Sequence, residues 1–303
     1  MLKHEVQEKL EKWGLPSWFL GAYKILVIAV FLLIALGGSV RIMKAGLACP
    51  DWPLCFGDFI PDYHPQVYFE FIHRVVAGGV GLVTVALHLF IFRSRTPLAI
   101  KWLASGSLAL LFAQIIFGGL TVLLILQSYV VATHLILGTG FFSTLLWIYL
   151  RLGPEGKAVA AGPRGLLWLS LFMVGIVYGQ ILLGGLVAAH FASLVCIDFP
   201  TCHGEWFPTF SGIIGLHIIH RLGAYSVFVA ALVNYLLMRR AAPSSRLKKI
   251  SLALILGVFC QVGLGIANVL LLTPPLIAVA HLALGVAVLS LTLCQLQGIL
   301  ATR

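Results

Sequence analysis

The chain has 303 residues, of which 60% are hydrophobic and only 10% are charged, and its formal net charge is +10. Soluble globular domains carry about a quarter charged residues, so this composition excludes that class. It predicts an all-α integral membrane protein, because lipid offers no hydrogen-bond partners to an unpaired backbone.

The first eighteen residues, MLKHEVQEKLEKWGLPSW, are charged and amphipathic. They predict a short cytoplasmic helix on the membrane surface, in a segment spanning 1–19, and they lack the apolar core of a cleavable signal. Apolar runs of the length that crosses a bilayer follow eight times. They predict transmembrane helices at about 20–40, 68–92, 103–126, 130–150, 165–189, 212–238, 250–272 and 276–299.

Basic residues predict the orientation of these spans. Sixteen of the 20 Lys and Arg residues fall in the N-terminal segment, at the C-terminus or in every second loop. The positive-inside rule therefore predicts cytoplasmic termini in a cell (plasma) membrane, with the loop GLACPDWPLCFG (Gly46–Gly57) on the outer face. The charge of +10 is explained by this topology and by anionic lipid, and no nucleic-acid partner is expected.

An internal duplication organises the chain. A gap-free shift of 147 residues aligns Gly37–Pro61 with Gly184–Pro208, EFIHR with HIIHR, and ATHLILG with VAHLALG. Each half has an even number of spans, which is typical of a parallel repeat about an axis along the membrane normal. The sequence predicts two four-helix bundles related by a pseudo-two-fold axis, 20–150 and 165–303, joined by a cytoplasmic linker, 151–164.

Four of the ten histidines lie in spans at positions that the repeat matches: His73, His134, His220 and His281. Ionisable residues inside a bilayer are costly and are often functional. Paired neutral imidazoles on alternate helices are the ligands that hold haem iron from both sides, whereas zinc and di-iron sites need other ligand sets. An interhelical hydrogen bond is the alternative for each, and we assign it to the unmatched His88 and His190.

Two further polar positions accompany the histidines. Arg74 and Arg221 each follow a matched histidine, where an arginine either extends to the lipid headgroups or pairs with a haem propionate. Glu70 and His217 are repeat mates one turn before a histidine, so only one half carries an acid there. Glu70 is either a proton donor and acceptor in an apolar site or a structural partner of a nearby arginine.

The cysteine loops, EFIHR, the matched histidines and the eight-span duplication together resemble the haem A synthase family, from about residue 37 to about 290. The resemblance implies an oxidoreductase that converts a methyl group of haem O into the formyl group of haem A by successive hydroxylations, for cytochrome oxidase assembly. It implies that His73 and His134 hold the substrate haem with Glu70 as catalytic acid/base. It further implies that His220 and His281 hold a haem b cofactor.

The family's first-loop cysteine pair falls on Cys49 and Cys55, and Cys196 and Cys202 repeat it. On an oxidising outer face each pair is expected to form a disulfide, Cys49–Cys55 and Cys196–Cys202. A redox role for the first pair is the alternative. Cys260 and Cys294 lie within spans and are interpreted as packing residues.

Two other functions are weighed against this one. A di-haem electron-transfer cytochrome linked to quinol would explain the histidines, but neither Glu70 in a single half nor the cysteine loops. A haem or small-molecule transporter would be expected to have inverted repeats or broken helices, and the sequence indicates neither. The expected partners are haem O, a membrane enzyme that supplies it, an electron donor and lipid. The sequence leaves that donor's identity, and whether the chain forms a homo-oligomer, open.

Overall fold

The computed structural model describes residues 2–154, 164–242 and 244–301. Within these ranges the fold is all-α, as predicted. The predicted linker at 151–164 lies mostly outside the described residues. The helices are α1 (Leu2–Lys12), α2 (Phe19–Ile42), α3 (Pro65–Arg93), α4 (Leu98–Leu123), α5 (Ser128–Leu152), α6 (Arg164–Ala189), α7 (Gly212–Ala241), α8 (Ser245–Leu270) and α9 (Pro275–Leu300).

Eight helices of the described chain, α2 to α9, are long and apolar enough to cross a membrane, which confirms the eight predicted spans. Several begin before their apolar run because the first turn follows capping chemistry rather than hydropathy. α3 begins at Pro65 and α9 at Pro275, where the missing proline N–H would have no helical partner. α8 follows Ser244, whose hydroxyl accepts a hydrogen bond from the Leu247 amide.

The described residues divide into two compact units. The first unit contains residues up to Leu126 and those from Thr133 to the end of α5, and its α3 packs against α2 and α4. The second contains Gln127–Ala132 and the described residues from Arg164 onward. Its α6 and α8 each pack against both α7 and α9, which closes a four-helix arrangement. The pseudo-two-fold relation and the boundaries at 20–150 and 165–303 stay predictions.

The predicted N-terminal helix is present as α1 and is attached to the first unit. Lys9 Nζ donates hydrogen bonds to the carbonyl oxygens of Arg151 and Gly153, 3.2 Å away in each case. These carbonyls belong to the C-terminal end of α5, where they lack helical partners and attract a cation. Leu10 on the same helix is buried. These contacts hold α1 against the end of α5.

Two histidines outside the matched set have local hydrogen-bond contacts. In the first unit, the two ring nitrogens of His88 lie 2.7 Å from Thr84 O and from Ser107 Oγ, which supports the hydrogen-bonding role expected of His88. His190 Nδ1 lies 2.9 Å from Leu186 O, four residues earlier on the same helix, so this contact is not the interhelical bond expected of His190. Cys260 and Cys294 are free cysteines in α8 and α9.

In the second unit, Gln295 Nε2 donates to Ser170 Oγ at 3.1 Å and to Asn234 Oδ1 at 2.8 Å. Asn234 Nδ2 donates back to Gln295 Oε1 at 3.1 Å. This network joins α6, α7 and α9. Inside a bilayer such bonds hold helices together because hydrophobic burial does not drive their association.

Replacing Gln295 by leucine should lower the free energy of unfolding by about 1–2 kcal/mol, because it leaves the buried Asn234 amide unpaired. Thermal denaturation in detergent, followed by tryptophan fluorescence, measures the change. The matched control is the double variant Gln295→Leu/Asn234→Leu, which removes both partners and should recover part of the loss. A double variant less stable than the single one would contradict this account.

Candidate functional site

Each matched histidine ring lies directly against a glycine of the preceding helix. In the first unit, a Cβ added at Gly37 would lie 3.1 Å from His73 Cε1, and one added at Gly118 would lie 3.2 Å from His134 Cε1. Such distances are tighter than most real Cβ contacts, so a side chain at either glycine would require the ring to shift by a few tenths of an ångström.

The second unit repeats these contacts. A Cβ at Gly184 would lie 3.1 Å from His220 Cε1, and one at Gly265 would lie 3.2 Å from His281 Cε1. Gly184 and Gly265 are the repeat mates of Gly37 and Gly118. The duplication therefore preserves four glycine–imidazole contacts, two in each unit.

The two histidines of each unit lie near each other. His134 is close enough to interact electrostatically with His73, and His220 with His281. Among the described residues, no group of three or more His, Cys, Asp or Glu side chains could hold a metal ion. Two imidazoles without a third protein ligand do not fit tetrahedral zinc. They do fit a haem, whose macrocycle supplies the remaining ligands.

One ring nitrogen of these histidines is enclosed by protein. No hydrogen bond from the described residues reaches Nδ1 of His73, His134 or His281. For His134 and His281, the backbones of Gln114 and Gln261 are near the ring but outside good hydrogen-bond geometry. Because Nδ1 is shut off from open space, Nε2 is the nitrogen left to bind iron.

The cysteine loops have the same local structure in both units. Cys49 and Cys55 lie at disulfide distance, as do Cys196 and Cys202, with a Cα–Cα separation of 4.8 Å in each pair. Backbone hydrogen bonds pair Cys55 with Asp58 and Cys202 with Glu205. Both pairs are therefore arranged for the predicted disulfides.

In each cysteine loop, an aspartate side chain accepts hydrogen bonds from two backbone amides of the same loop. Asp51 accepts hydrogen bonds from the Phe56 and Gly57 amides at 2.7 and 2.8 Å, and Asp198 does the same for its own loop. The Gly57 amide lowers the pKa of Asp51, assisted by the Phe56 amide and the charge of Arg74. The Thr201 hydroxyl, with the loop amides, lowers the pKa of Asp198. Both groups are acceptors at neutral pH and poor proton donors.

Arg74 attaches the first loop to α3. Its guanidinium donates to the carbonyl oxygens of Asp51 at 2.8 Å, Leu54 at 2.6 Å and Cys49 at 3.3 Å, and it pairs with Glu70. Glu70 is buried, and its Oε2 accepts a hydrogen bond from the Cys49 amide at 2.9 Å. Arginine and glutamate together therefore hold the loop to the helix that carries His73.

Arg221 attaches the second loop to α7 in the same way. It donates to the carbonyl oxygens of Thr201 at 2.8 Å, Asp198 at 2.9 Å and Cys196 at 3.0 Å. The neighbouring His217 Nδ1 lies 2.7 Å from Ala192 O. The propionate role predicted for both arginines stays a prediction, since their donors contact loop carbonyls here.

Sequence reasoning missed two features of these sites. In the sequence, the glycine pairs at 37–38, 118–119 and 184–185 predict close helix contacts, with cofactor approach as the alternative, but they do not predict that Gly37, Gly118 and Gly184 each face an imidazole. Sequence reasoning also gave no role to Gln180, whose Nε2 donates to the His220 carbonyl at 2.8 Å. The available sequence signal is a glutamine four residues before a glycine, on the span that precedes a histidine span.

Comparison with known proteins gives a consistent result. The COX15-CtaA family model, described as cytochrome oxidase assembly protein, matches residues 22–67 and 60–293. The chain is 33% identical to a "Heme A synthase" of Shewanella oneidensis, with 93% of this chain and 95% of the relative covered. A "Heme A synthase" of Symbiobacterium thermophilum is 32% identical over 73% of this chain and 76% of its own length. One from Halalkalibacterium halodurans is 28% identical, with 90% of this chain and 94% of the relative covered. The family match extends across both cysteine loops and all four glycine–imidazole contacts, and the chain belongs to the COX15-CtaA family of cytochrome oxidase assembly proteins.

Proposed function

We propose that this protein is a haem A synthase, which oxidises a methyl group of haem O to the formyl group of haem A for cytochrome oxidase assembly. Relatives named "Heme A synthase" align with 93% and 90% of this chain. The observation that carries the proposal is an asymmetry. Each unit has an imidazole pair on glycines, and a buried carboxylate accompanies the pair in the first unit alone of the described chain.

The first unit holds the substrate. His73 and His134 bind the iron of haem O through Nε2, with their rings fixed by Gly37 and Gly118. Conversion of the methyl carbon proceeds through two hydroxylations to a geminal diol, which loses one water to give the formyl group. The carbon loses four electrons in total. As in a mono-oxygenase, each hydroxylation also consumes one O2, two electrons from a donor and two protons, and releases one water. The first unit therefore needs a supply of electrons and an exchange site for protons.

Glu70 serves as that proton exchange site. It lies one helical turn before His73, so both side chains emerge on the same face of α3. Its carboxylate is held by Arg74 and by the Cys49 amide, which orders it without using all of its acceptor capacity. A buried and ordered carboxylate suits general acid/base catalysis. The equivalent His217 faces a backbone carbonyl instead.

The second unit holds the resident cofactor. His220 and His281 bind a haem b, which when bound supplies a one-electron carrier. No acid stands at the Glu70 position of this unit, since the repeat places His217 there. The protein's own residues in this unit hold the two imidazoles in place and provide no acid at the position of Glu70.

The cysteine loops are structural. Arg221 and Asp198 hold the second loop exactly where Arg74 and Asp51 hold the first, although the second unit lacks the acid. The same attachment in a unit without the acid supports a structural role for both loops. The basic residues place these loops on the outer face of the plasma membrane, with both termini in the cytoplasm. There, disulfides are stable.

A di-haem electron-transfer cytochrome is the second candidate, because both units offer the same imidazole pair. Pigment extraction from the purified protein, followed by mass spectrometry, separates the two functions. We expect haem b together with haem O or haem A, supplied as haem O by a partner membrane enzyme. Haem b as the sole pigment, from cells that make haem O, would favour the cytochrome.

Glu70→Gln should leave both haem sites occupied while blocking formation of haem A, because glutamine keeps the shape and accepts the Cys49 hydrogen bond but exchanges no proton. Pigments bound by the variant in cells that supply haem O provide the measurement. The matched control is His217→Gln at the repeat-equivalent position, which should still yield haem A. Full conversion by Glu70→Gln would reduce Glu70 to the structural partner of Arg74.

Gly184→Ala should disturb the haem b site, because the new Cβ would lie 3.1 Å from His220 Cε1 and push the ring from its position. We expect less bound haem b and shifted low-spin signals in electron paramagnetic resonance spectra. Gly179→Ala is the control on the same helix, since a Cβ there would meet no atom of the described residues within 4 Å. Equal spectra for the two variants would show that Gly184 does not position His220.

A further inference from the structure

Glutamines accompany three of the four glycine–imidazole contacts. Each precedes the contact glycine by four residues and so lies on the same face of its helix: Gln114 before Gly118, Gln180 before Gly184, and Gln261 before Gly265. Gln180 Nε2 donates to the His220 carbonyl at 2.8 Å and lies 3.1 Å from His220 Nδ1. Gln261 Nε2 donates to the His281 carbonyl at 2.9 Å.

Each glutamine amide also lies against a second glycine, on the histidine helix itself. A Cβ at Gly285 would lie 3.2 Å from Gln261 Nε2, and Cβ atoms at Gly138 and Gly223 would collide with the amides of Gln114 and Gln180. The glutamine and its glycine therefore form a pair, since the amide fits beside the histidine only where the second helix lacks a side chain.

His73 is the exception to this arrangement. Four residues before Gly37 the chain has Leu33, the repeat mate of Gln180. Three residues after His73 it has Val76, the repeat mate of Gly223. Both members of the glutamine–glycine pair are thus exchanged together for apolar residues. Nδ1 of His73 has no hydrogen-bond partner among the described residues, but the same is true of His134 and His281, so the exception concerns the glutamine–glycine pair alone.

We propose that His73 is the exchangeable axial ligand of the substrate haem, and that Gln114, Gln180 and Gln261 are positioning residues that hold the other three histidines in place. This inference rests on the function proposed above. Gln180 and Gln261 bind the main-chain carbonyl of their histidine, and Gln114 lies against Gly138 on the helix that carries His134. Outer partners fix the orientation of a ligating histidine, and their loss weakens metal binding 10–100-fold. A histidine without such a partner is the ligand that dissociates from the iron most easily.

The position of the exception fits its role. A substrate haem has to enter and leave, whereas a resident cofactor does neither. Glu70 lies one turn from His73 on the same helix face, so the ligand that yields is the one beside the proton exchange site. His134, across the same site, keeps its Gln114–Gly138 pair and retains the haem.

Carbon monoxide binding to the reduced protein tests this directly, because the gas binds where an axial ligand yields. Two full-length backgrounds isolate the sites: His220→Ala/His281→Ala leaves haem in the first unit, and His73→Ala/His134→Ala leaves it in the second. With no further substitutions, we expect the haem of the first unit to bind carbon monoxide with at least tenfold higher affinity than the haem of the second unit. Equal affinities would overturn the proposal.

Exchanging the glutamine–glycine pair between the units gives the converse test. In the second-unit background, Gln180→Leu should raise the affinity for carbon monoxide on the order of 10–100-fold. Ser226→Ala on α7, which loses a bond to its own helix at Leu222, is the control and should change nothing. In the first-unit background, Leu33→Gln with Val76→Gly should lower the affinity to that of the second unit.

Unchanged affinity in both exchanged variants would overturn the role of the glutamines. Because the carbon monoxide measurements do not depend on haem A formation, they test the role of His73 separately from the proposed function. Carbon monoxide results as expected, in a protein whose wild type forms no haem A, would remove the proposed function and leave His73 as the exchangeable ligand. If the wild-type protein forms haem A but the haems of the two units bind carbon monoxide with equal affinity, the proposed function stands and the role of His73 is overturned.

Discussion

Close contact between an imidazole ring and a helix backbone is the constraint on which both units depend. A histidine inside lipid has to be held by neighbouring helices, and association of those helices relies on packing rather than on hydrophobic burial. Gly37, Gly118, Gly184 and Gly265 allow the preceding helix to approach each ring to van der Waals distance. Each contact joins consecutive helices, so the ligand position is set by the nearest part of the chain.

Duplication of this scaffold separates structure from chemistry. Features that both units keep, such as the arginine that binds its cysteine loop and the aspartate that closes it, serve the fold. Features that differ at repeat-equivalent positions mark a division of labour: Glu70 against His217, and Leu33 against Gln180. Under the proposed function, these few side chains on a common frame make one site reactive and the other an electron carrier.

The first unit couples its loop to its acid. Glu70 accepts from the Cys49 amide while pairing with Arg74, which in turn donates to three loop carbonyls. A proton added to the carboxylate would weaken its contact with the arginine and so affect the attachment of the loop. In the second unit, Arg221 donates to the loop carbonyls with no carboxylate at the position of Glu70, and His217 contacts Ala192 O, which is not one of the arginine's acceptors.

The sequence by itself determined the eight spans, the duplication and the four histidines, because apolar length and repeat-matched polar residues are visible without packing. It also limited the candidate acid to Glu70. Tertiary structure decided the rest. Rotation of each helix about its axis selects which glycine meets which ring, and a folded loop presents the carbonyls that Arg74 binds in place of a headgroup. The glutamine–glycine pairs depend on two helices at once, so they become recognisable only when those helices are packed together.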